Sequence, residues 1–359
     1  MENNVLVVGT GTIGEPLIGL LARLKDAFGI ENLYFHKRTP LDYEVAKVNS
    51  LVDQGAKLVV NAGTEQNFRF FGHEPVTDFE TALLKSRVVI DCTPAGNENK
   101  DEHYLGVDTY TKDKFFIAQG SEKGFGVPYA HDINENVLSQ KTAPRFVQVV
   151  SCNTHAISRV IKCLQSDNND ALVSGDFVCI RRSNDASQNS GFTPSPTCGE
   201  HSDESFGTHH ARDVYDLFST VSVPQWKITS SAMKVNSQYM HVIRFQLKTK
   251  EKNLDYKKVL DRFKRDKFVS VTQHMTANKV FSFGRDHGFY GRIYNQAVVC
   301  APSLQVIKNG DESIVSGFLF TPQDGNSLLS SIAAALYGLY GDNYKKYLTH
   351  FHHFLKDEV

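Results

Sequence analysis

The chain has little that would tie it to a membrane, a nucleic acid or a disulfide framework. Its six cysteines (Cys92, Cys152, Cys163, Cys179, Cys198 and Cys300) form no C-x-x-C pair. That spacing predicts neither a zinc site nor a disulfide lattice, and free thiols fit a reducing compartment. No apolar run approaches the roughly 20 residues of a transmembrane helix. The first residues carry no basic segment and pass straight into an apolar run, so no signal peptide is expected and a cytoplasmic protein is. Formal net charge is −1, which excludes a global pull toward nucleic acid or an anionic membrane. No cluster suggests a bound metal.

The chain does have bulk. Its 359 residues are 41% hydrophobic and 22% charged, enough for two domains with separate cores. Over the first 150 residues, short apolar runs at Val5–Val8, Leu33–His36, Lys57–Val60, Val88–Asp91, 115–118 and 146–150 alternate with polar or helical stretches, notably 13–28 and 43–52. That alternation predicts a parallel sheet with helices on both faces. Beyond Cys152 come longer strand-like runs at 176–182, 226–235, 240–248, 298–307 and 314–320, with helices at 153–164, 211–219 and 255–263. In 240–248 the residues His241, Ile243, Phe245 and Leu247 share one face, which predicts a mostly antiparallel sheet covered on one side. The segment 183–207, rich in Ser, Asn, Pro and Gly, reads as a long loop. An apolar helix is expected at 326–340. The fold class is therefore α/β: an N-terminal Rossmann-type parallel-sheet domain over 1–151, followed by a second, α+β domain with a mostly antiparallel sheet over 152–323.

Gly9-Thr10-Gly11-Thr12-Ile13-Gly14 fits G-x-G-x-x-G, directly after a strand and at the start of a helix. In that setting Gly9 makes the tight turn, Gly11 admits the pyrophosphate to the backbone, and Gly14 lets helix and strand pack closely. The helix N-terminus then offers amide donors and positive dipole to the anion. An NAD site usually carries an acid at the end of the second strand. Here Lys37 and Arg38 follow His36, which favours NADP through a 2′-phosphate contact while NAD stays tolerated.

Cys152 lies where a strand hands over to a helix, a setting that lowers a thiol's pKa and suits a nucleophile; the competing reading is a small buried residue at a domain join. Of the 14 histidines, His241 is the best placed as its acid–base partner, although a histidine on an apolar face is more often a core residue. Arg181-Arg182 at a strand end and His209-His210 before a helix are the residue types that a phosphate or carboxylate site needs.

Taken in order, these segments resemble the archaeal-type (class II) phosphorylating glyceraldehyde-3-phosphate dehydrogenases over nearly the whole chain. The segments are Gly9–Gly14, Lys37-Arg38-Thr39-Pro40, Ile90-Asp91-Cys92-Thr93-Pro94-Ala95-Gly96, Gln119-Gly120, Val149-Val150-Ser151-Cys152-Asn153-Thr154, Arg181-Arg182, His209-His210 with Asp213-Val214, and Met240-His241. The resemblance implies Cys152 as nucleophile and His241 as general base. It places Ser151, Asn153, His209 and His210 on the aldehyde or its phosphates, with Arg182 near cofactor and substrate phosphate. It implies Thr12, Ile13, Thr93, Gly120 and Gln323 as cofactor contacts, C-terminal helices (324–359) that return to the first domain, and a homotetramer. The reaction it implies is oxidation of a phosphorylated aldehyde with NADP or NAD through a Cys152 thioester that inorganic phosphate resolves, in glycolysis or gluconeogenesis. His155-Ala156 and Ala211-Arg212 depart from the family's usual residues, and Arg212 adds a charge near the expected anion site. Other phosphorylated-aldehyde or semialdehyde dehydrogenases, a water-resolved thioester and a non-catalytic dinucleotide binder remain the alternatives.

Overall fold

The computed structural model describes residues 2–110, 113–120, 122–139, 144–165, 171–184 and 190–359. Residues 185–189 of the expected 183–207 loop lie outside them. The chain divides into two compact units. The first comprises Met1–His131, Glu135–Val149 and Ser330–His352, the second Asp132–Asn134, Val150–Leu329 and His353–Val359.

The first unit is built on an eight-stranded sheet in which every neighbouring pair runs parallel. Its order is Thr77–Asp78, Lys57–Val60, Leu33–His36, Val5–Val8, Val88–Asp91, Phe115–Gln119, Phe146–Val149, Val127–Tyr129. The strands Val5–Val8, Leu33–His36 and Val88–Asp91 are buried at every residue, as strands covered on both faces must be. Strand order reverses between Val5–Val8 and Val88–Asp91, so the crevice beyond their carboxyl ends is the usual ligand position of such a sheet. The first helix, Gly14–Arg23, is shorter than the 13–28 expected: Leu24 leaves helical geometry (φ −103°, ψ 8°) and the chain continues in turns to Gly29, left-handed at φ 59°. The two short edge strands, Thr77–Asp78 and Val127–Tyr129, went unforeseen because three or fewer residues carry no period.

The helix Leu328–Tyr340 packs its later turns on this sheet. A Cβ at Gly338 would stand 2.8 Å from both Phe115 Cβ and Val88 Cγ2, so only glycine allows that approach. Tyr340 donates to the Phe28 carbonyl (2.6 Å), and Ser331 to Gln119 Oε1 (2.9 Å).

The second unit carries a mostly antiparallel sheet. Its central strands Leu172–Arg181, His241–Thr249 and Glu312–Thr321 pair antiparallel, and two of its outer pairs are parallel. The predicted alternation is present: along His241–Thr249, every second residue from His241 to Thr249 is buried. Ile243, Phe245 and Leu247 meet Ile157, Val160, Ile161, Phe177 and Phe263 in one core. Burial stabilises each such side chain by about 1.5–3 kcal/mol. The expected strand 298–307 is instead two, Ala297–Cys300 and Gln305–Asn309, split by a turn at Ala301–Ser303. Pro302 has no N–H for a ladder and forces the break. The strand Val269–Thr272 and the helix Ala277–His287 were not foreseen. No described helix is long and apolar enough to cross a membrane.

Candidate active site

The first unit holds the glycine loop in the geometry its motif demands. Gly9 takes φ 93°, and a Cβ on Gly14 would fall 2.1 Å from the Gly9 carbonyl oxygen, so both positions accept glycine alone. A Cβ on Gly11 would meet nothing within 4 Å, which leaves its backbone open to an approaching pyrophosphate. Thr12 and Ile13 complete the loop, and Ile13 is the N-cap of Gly14–Arg23 without a side-chain cap, so the helix's first amides are not consumed by one. These features fit a dinucleotide.

Beside the loop lies a cleft of ≈ 680 Å³ lined by Gly9, Thr10, His36, Lys37, Arg38 and Thr93 among others. Two of its lining residues, Thr93 and Asn99, are held by Asp91, a fully buried acid whose part the sequence did not show. Asp91 accepts from Thr93 N (2.8 Å), Thr93 Oγ1 (2.6 Å), Asn99 Nδ2 (2.7 Å) and Tyr104 Oη (2.6 Å). His36 is wedged between Asn61 (Nε2···Oδ1, 2.8 Å) and the Phe79 ring, and burial pulls its pKa down to about 4. Arg38 is exposed, whereas Lys37 is buried and its amine is bound by Glu44. Gly120, left-handed at φ 67°, ends the strand Phe115–Gln119.

In the second unit Cys152 opens the helix Cys152–Leu164, with Ser151 as N-cap: the Ser151 hydroxyl accepts from Thr154 N (3.3 Å) and meets Thr154 Oγ1 (2.8 Å). Ser151, expected at the substrate, thus has a structural task as well. Asn326 Nδ2 donates to the Cys152 carbonyl (2.9 Å) and to the Gln296 carbonyl (3.0 Å), which fixes the backbone of the thiol residue from outside its own helix.

Elimination among the six thiols favours Cys152. Burial pushes Cys179 up to about 12, and Cys92 and Cys163 are pushed well up by burial and by Asp91 and Asp266 respectively. Cys300 is buried in a strand and Cys198 is exposed in a two-residue strand. Cys152 is half-buried at the start of a thirteen-residue helix.

His241 begins its strand, opposite Thr321 and one step from the Val242–Ile180 pair. The backbone N–H of Arg182 donates to His241 Nδ1 (2.9 Å). Burial, then the charges of Arg182 and Arg181, push its pKa well below the ordinary value, so the ring is neutral. A neutral imidazole that accepts at Nδ1 carries its proton on Nε2. Arg182 is itself buried and paired with Asp324 (Nη2–Oδ2, 3.1 Å), which sits in the left-handed region at φ 63°. Gln323 is next to it, its N–H donating to the Thr321 carbonyl (2.7 Å). The register therefore brings His241, Arg182, Thr321, Gln323 and Asp324 to one end of the sheet.

His209-His210 start the helix His209–Ser219, their rings 4.0 Å apart. Ser230, unforeseen from sequence, anchors that start by accepting from Ala211 N (3.0 Å) and pairing with Thr208 Oγ1 (2.6 Å). Burial, His209 and Arg181 bring the His210 pKa down to about 3. Both ring nitrogens of His210 are buried without a hydrogen-bond partner among the described residues, as are Asn153 Oδ1 and Thr321 Oγ1. Orphaned polar atoms of this kind await a ligand or water. Arg212, expected to add charge at the anion site, is paired with Asp203 (3.0 Å). Among the described residues no three His, Cys, Asp or Glu side chains converge on a metal position.

Asp324 and Asn326 lie within three residues of Gln323, yet the sequence marks neither as a site residue. Asp91 and Glu44 take partners close by in the chain (Thr93 and Asn99; Lys37 and Lys47), but no periodicity shows that those side chains meet, and the partners of Ser230, Thr208 and Ala211, lie on another element.

No family model matches the chain. It is similar to archaeal glyceraldehyde-3-phosphate dehydrogenases. That of Pyrobaculum calidifontis is 28% identical over 247 residues, 67% of this chain and 65% of the relative. That of Methanopyrus kandleri is 27% identical over 301 residues (79% and 78%), and that of Archaeoglobus fulgidus 26% over 310 (80% and 79%). The chain thus spans 65% of the length of its Pyrobaculum relative. The expected resemblance to this family is borne out by these relatives, over 67–80% of the chain and not nearly all of it.

Proposed function

We propose that the protein is a phosphorylating glyceraldehyde-3-phosphate dehydrogenase that uses NADP or NAD. The observation that carries the reading is Cys152: of six thiols, it alone joins partial exposure to the start of a long helix, in a unit that also holds a neutral His241 and two arginines. The first unit's glycine loop, with Gly9, Gly11, Thr12, Ile13 and Gly14, and the cleft residues Arg38 and Thr93 would hold the dinucleotide, with Gly120, Arg182 and Gln323 as further contacts. The bound nicotinamide supplies a hydride acceptor, and with it the oxidation of hemithioacetal to thioester.

The chain's own residues do the rest. The helix dipole and first-turn amides favour the Cys152 thiolate. Its sulfur adds to the aldehyde carbon, and the carbonyl π pair moves to oxygen. His241 meets that oxyanion with its Nε2–H as donor. This differs from the general base that the resemblance implies: with Nδ1 occupied by the Arg182 N–H, the neutral ring has no lone pair at Nε2 to take a proton. After oxidation, a phosphate oxygen held by Arg181, Arg182, His209, His210 and Asn153 attacks the thioester carbonyl. The C–S bond breaks, thiolate returns and an acyl phosphate leaves. The test is dinucleotide reduction followed by absorbance with glyceraldehyde 3-phosphate, varying NAD, NADP and phosphate independently. Cys152→Ala should abolish turnover and spare dinucleotide binding; normal turnover in that variant ends the reading.

A further inference from the structure

The cleft beside the glycine loop carries two long cations, Lys37 and Arg38, on the residues that follow the second strand. Their surroundings differ. Arg38 is exposed at the cleft. Lys37 has a side chain 8% exposed, and its amine closes on Glu44 Oε2. The other oxygen of Glu44 is held by Lys47 (2.7 Å), which also reaches the Thr10 carbonyl of the glycine loop (3.4 Å) and Glu15 (3.8 Å). Glu44 therefore spends both oxygens inside the protein, between two lysines. Burial works against its charge, yet the hydrogen bonds from Lys37 and Lys47 hold its carboxyl below the ordinary value.

We propose that Glu44 sets the dinucleotide specificity of this cleft: by neutralising Lys37 in place, it withholds that amine from a 2′-phosphate and leaves Arg38 as the cation that meets one. A phosphate dianion could recruit Lys37 only by displacing a carboxylate from a buried amine, and the displaced carboxylate would then repel the dianion. NADP consequently gains one charge-assisted contact over NAD where the residue types alone promise two. The inference rests on the first unit being a dinucleotide site.

The test is calorimetric titration of the full-length protein with NADP and with NAD, which requires no turnover. Glu44→Gln frees Lys37 and should tighten NADP by about tenfold, the worth of one charge-assisted contact, with NAD changed less than about twofold. Adding Lys37→Met to that variant should erase the gain. Arg38→Gln, an exposed change that leaves the triad intact, should bring NADP down to the affinity of NAD. An unchanged NADP-to-NAD ratio in Glu44→Gln, or an NADP preference that survives Arg38→Gln, overturns the proposal. If the wild-type protein binds neither dinucleotide, the reading of the cleft falls, and this inference with it.

Discussion

The backbone N–H of Arg182 donates to Nδ1 of His241 across 2.9 Å. The contact joins two sequence-distant residues through the sheet, since Arg182 follows the strand that pairs with His241–Thr249. It decides which nitrogen of the ring holds the proton, and so what the ring can do.

A donor role makes a prediction that a base role does not. His241→Ala should lower kcat by about 10²–10³-fold, the loss expected for one oxyanion donor. His241→Gln, which keeps an N–H, should retain clearly more activity. Glutamine no better than alanine would favour a base. Nitrogen-15 shifts of the ring at neutral pH give the tautomer directly, and a proton on Nδ1 would contradict the assignment.

Buried neutral histidines make the fold sensitive to acid. His36 is lowered to about 4 and His210 to about 3. Below about pH 6.5 the unfolded chain takes up protons at these residues and the folded chain does not, so stability rises with pH in this window and is lost as pH falls. Each should cost roughly 2 kcal/mol between pH 7 and pH 5. Urea midpoints at the two pH values, for wild type and for His36→Asn, check this. The variant should show the smaller drop; an equal drop excludes His36 as a source.

Asn326 holds the Cys152 and Gln296 carbonyls with one amide. Asn326→Ala should destabilise the protein by about 1–3 kcal/mol, since the buried Gln296 carbonyl and the half-buried Cys152 carbonyl lose a donor. Acting through Cys152, it should also change the rate of Cys152 alkylation by iodoacetamide severalfold, with dinucleotide affinity unmoved. Alkylation at the wild-type rate would leave Asn326 a purely structural residue.

The glycines of the loop should separate stability from binding. Gly14→Ala drives a methyl to 2.1 Å from the Gly9 carbonyl and should destabilise the first unit by several kcal/mol. Gly11→Ala meets no protein atom, so its melting temperature should hold while dinucleotide affinity falls at least tenfold. A Gly11→Ala variant that binds normally would show that no ligand approaches there.

Much of this protein was legible in its sequence. Period and punctuation placed most strands of the parallel sheet. Alternation at His241, Ile243, Phe245 and Leu247 gave the buried face of the second sheet, and the Gly9–Gly14 spacing gave the loop. Such signals are local, because side-chain direction along a strand or helix follows from backbone geometry alone. What only the tertiary structure decided is which groups share a charge or a proton. Lys37 reads as an open cation, and folding sets Glu44 against it. Folding likewise sets the Arg182 amide on Nδ1 of His241, and Cys152 is anchored by an asparagine 174 residues away in the chain. Pairing of that kind depends on burial and register, which remove water and bring the partners together; no periodicity in a linear chain records it.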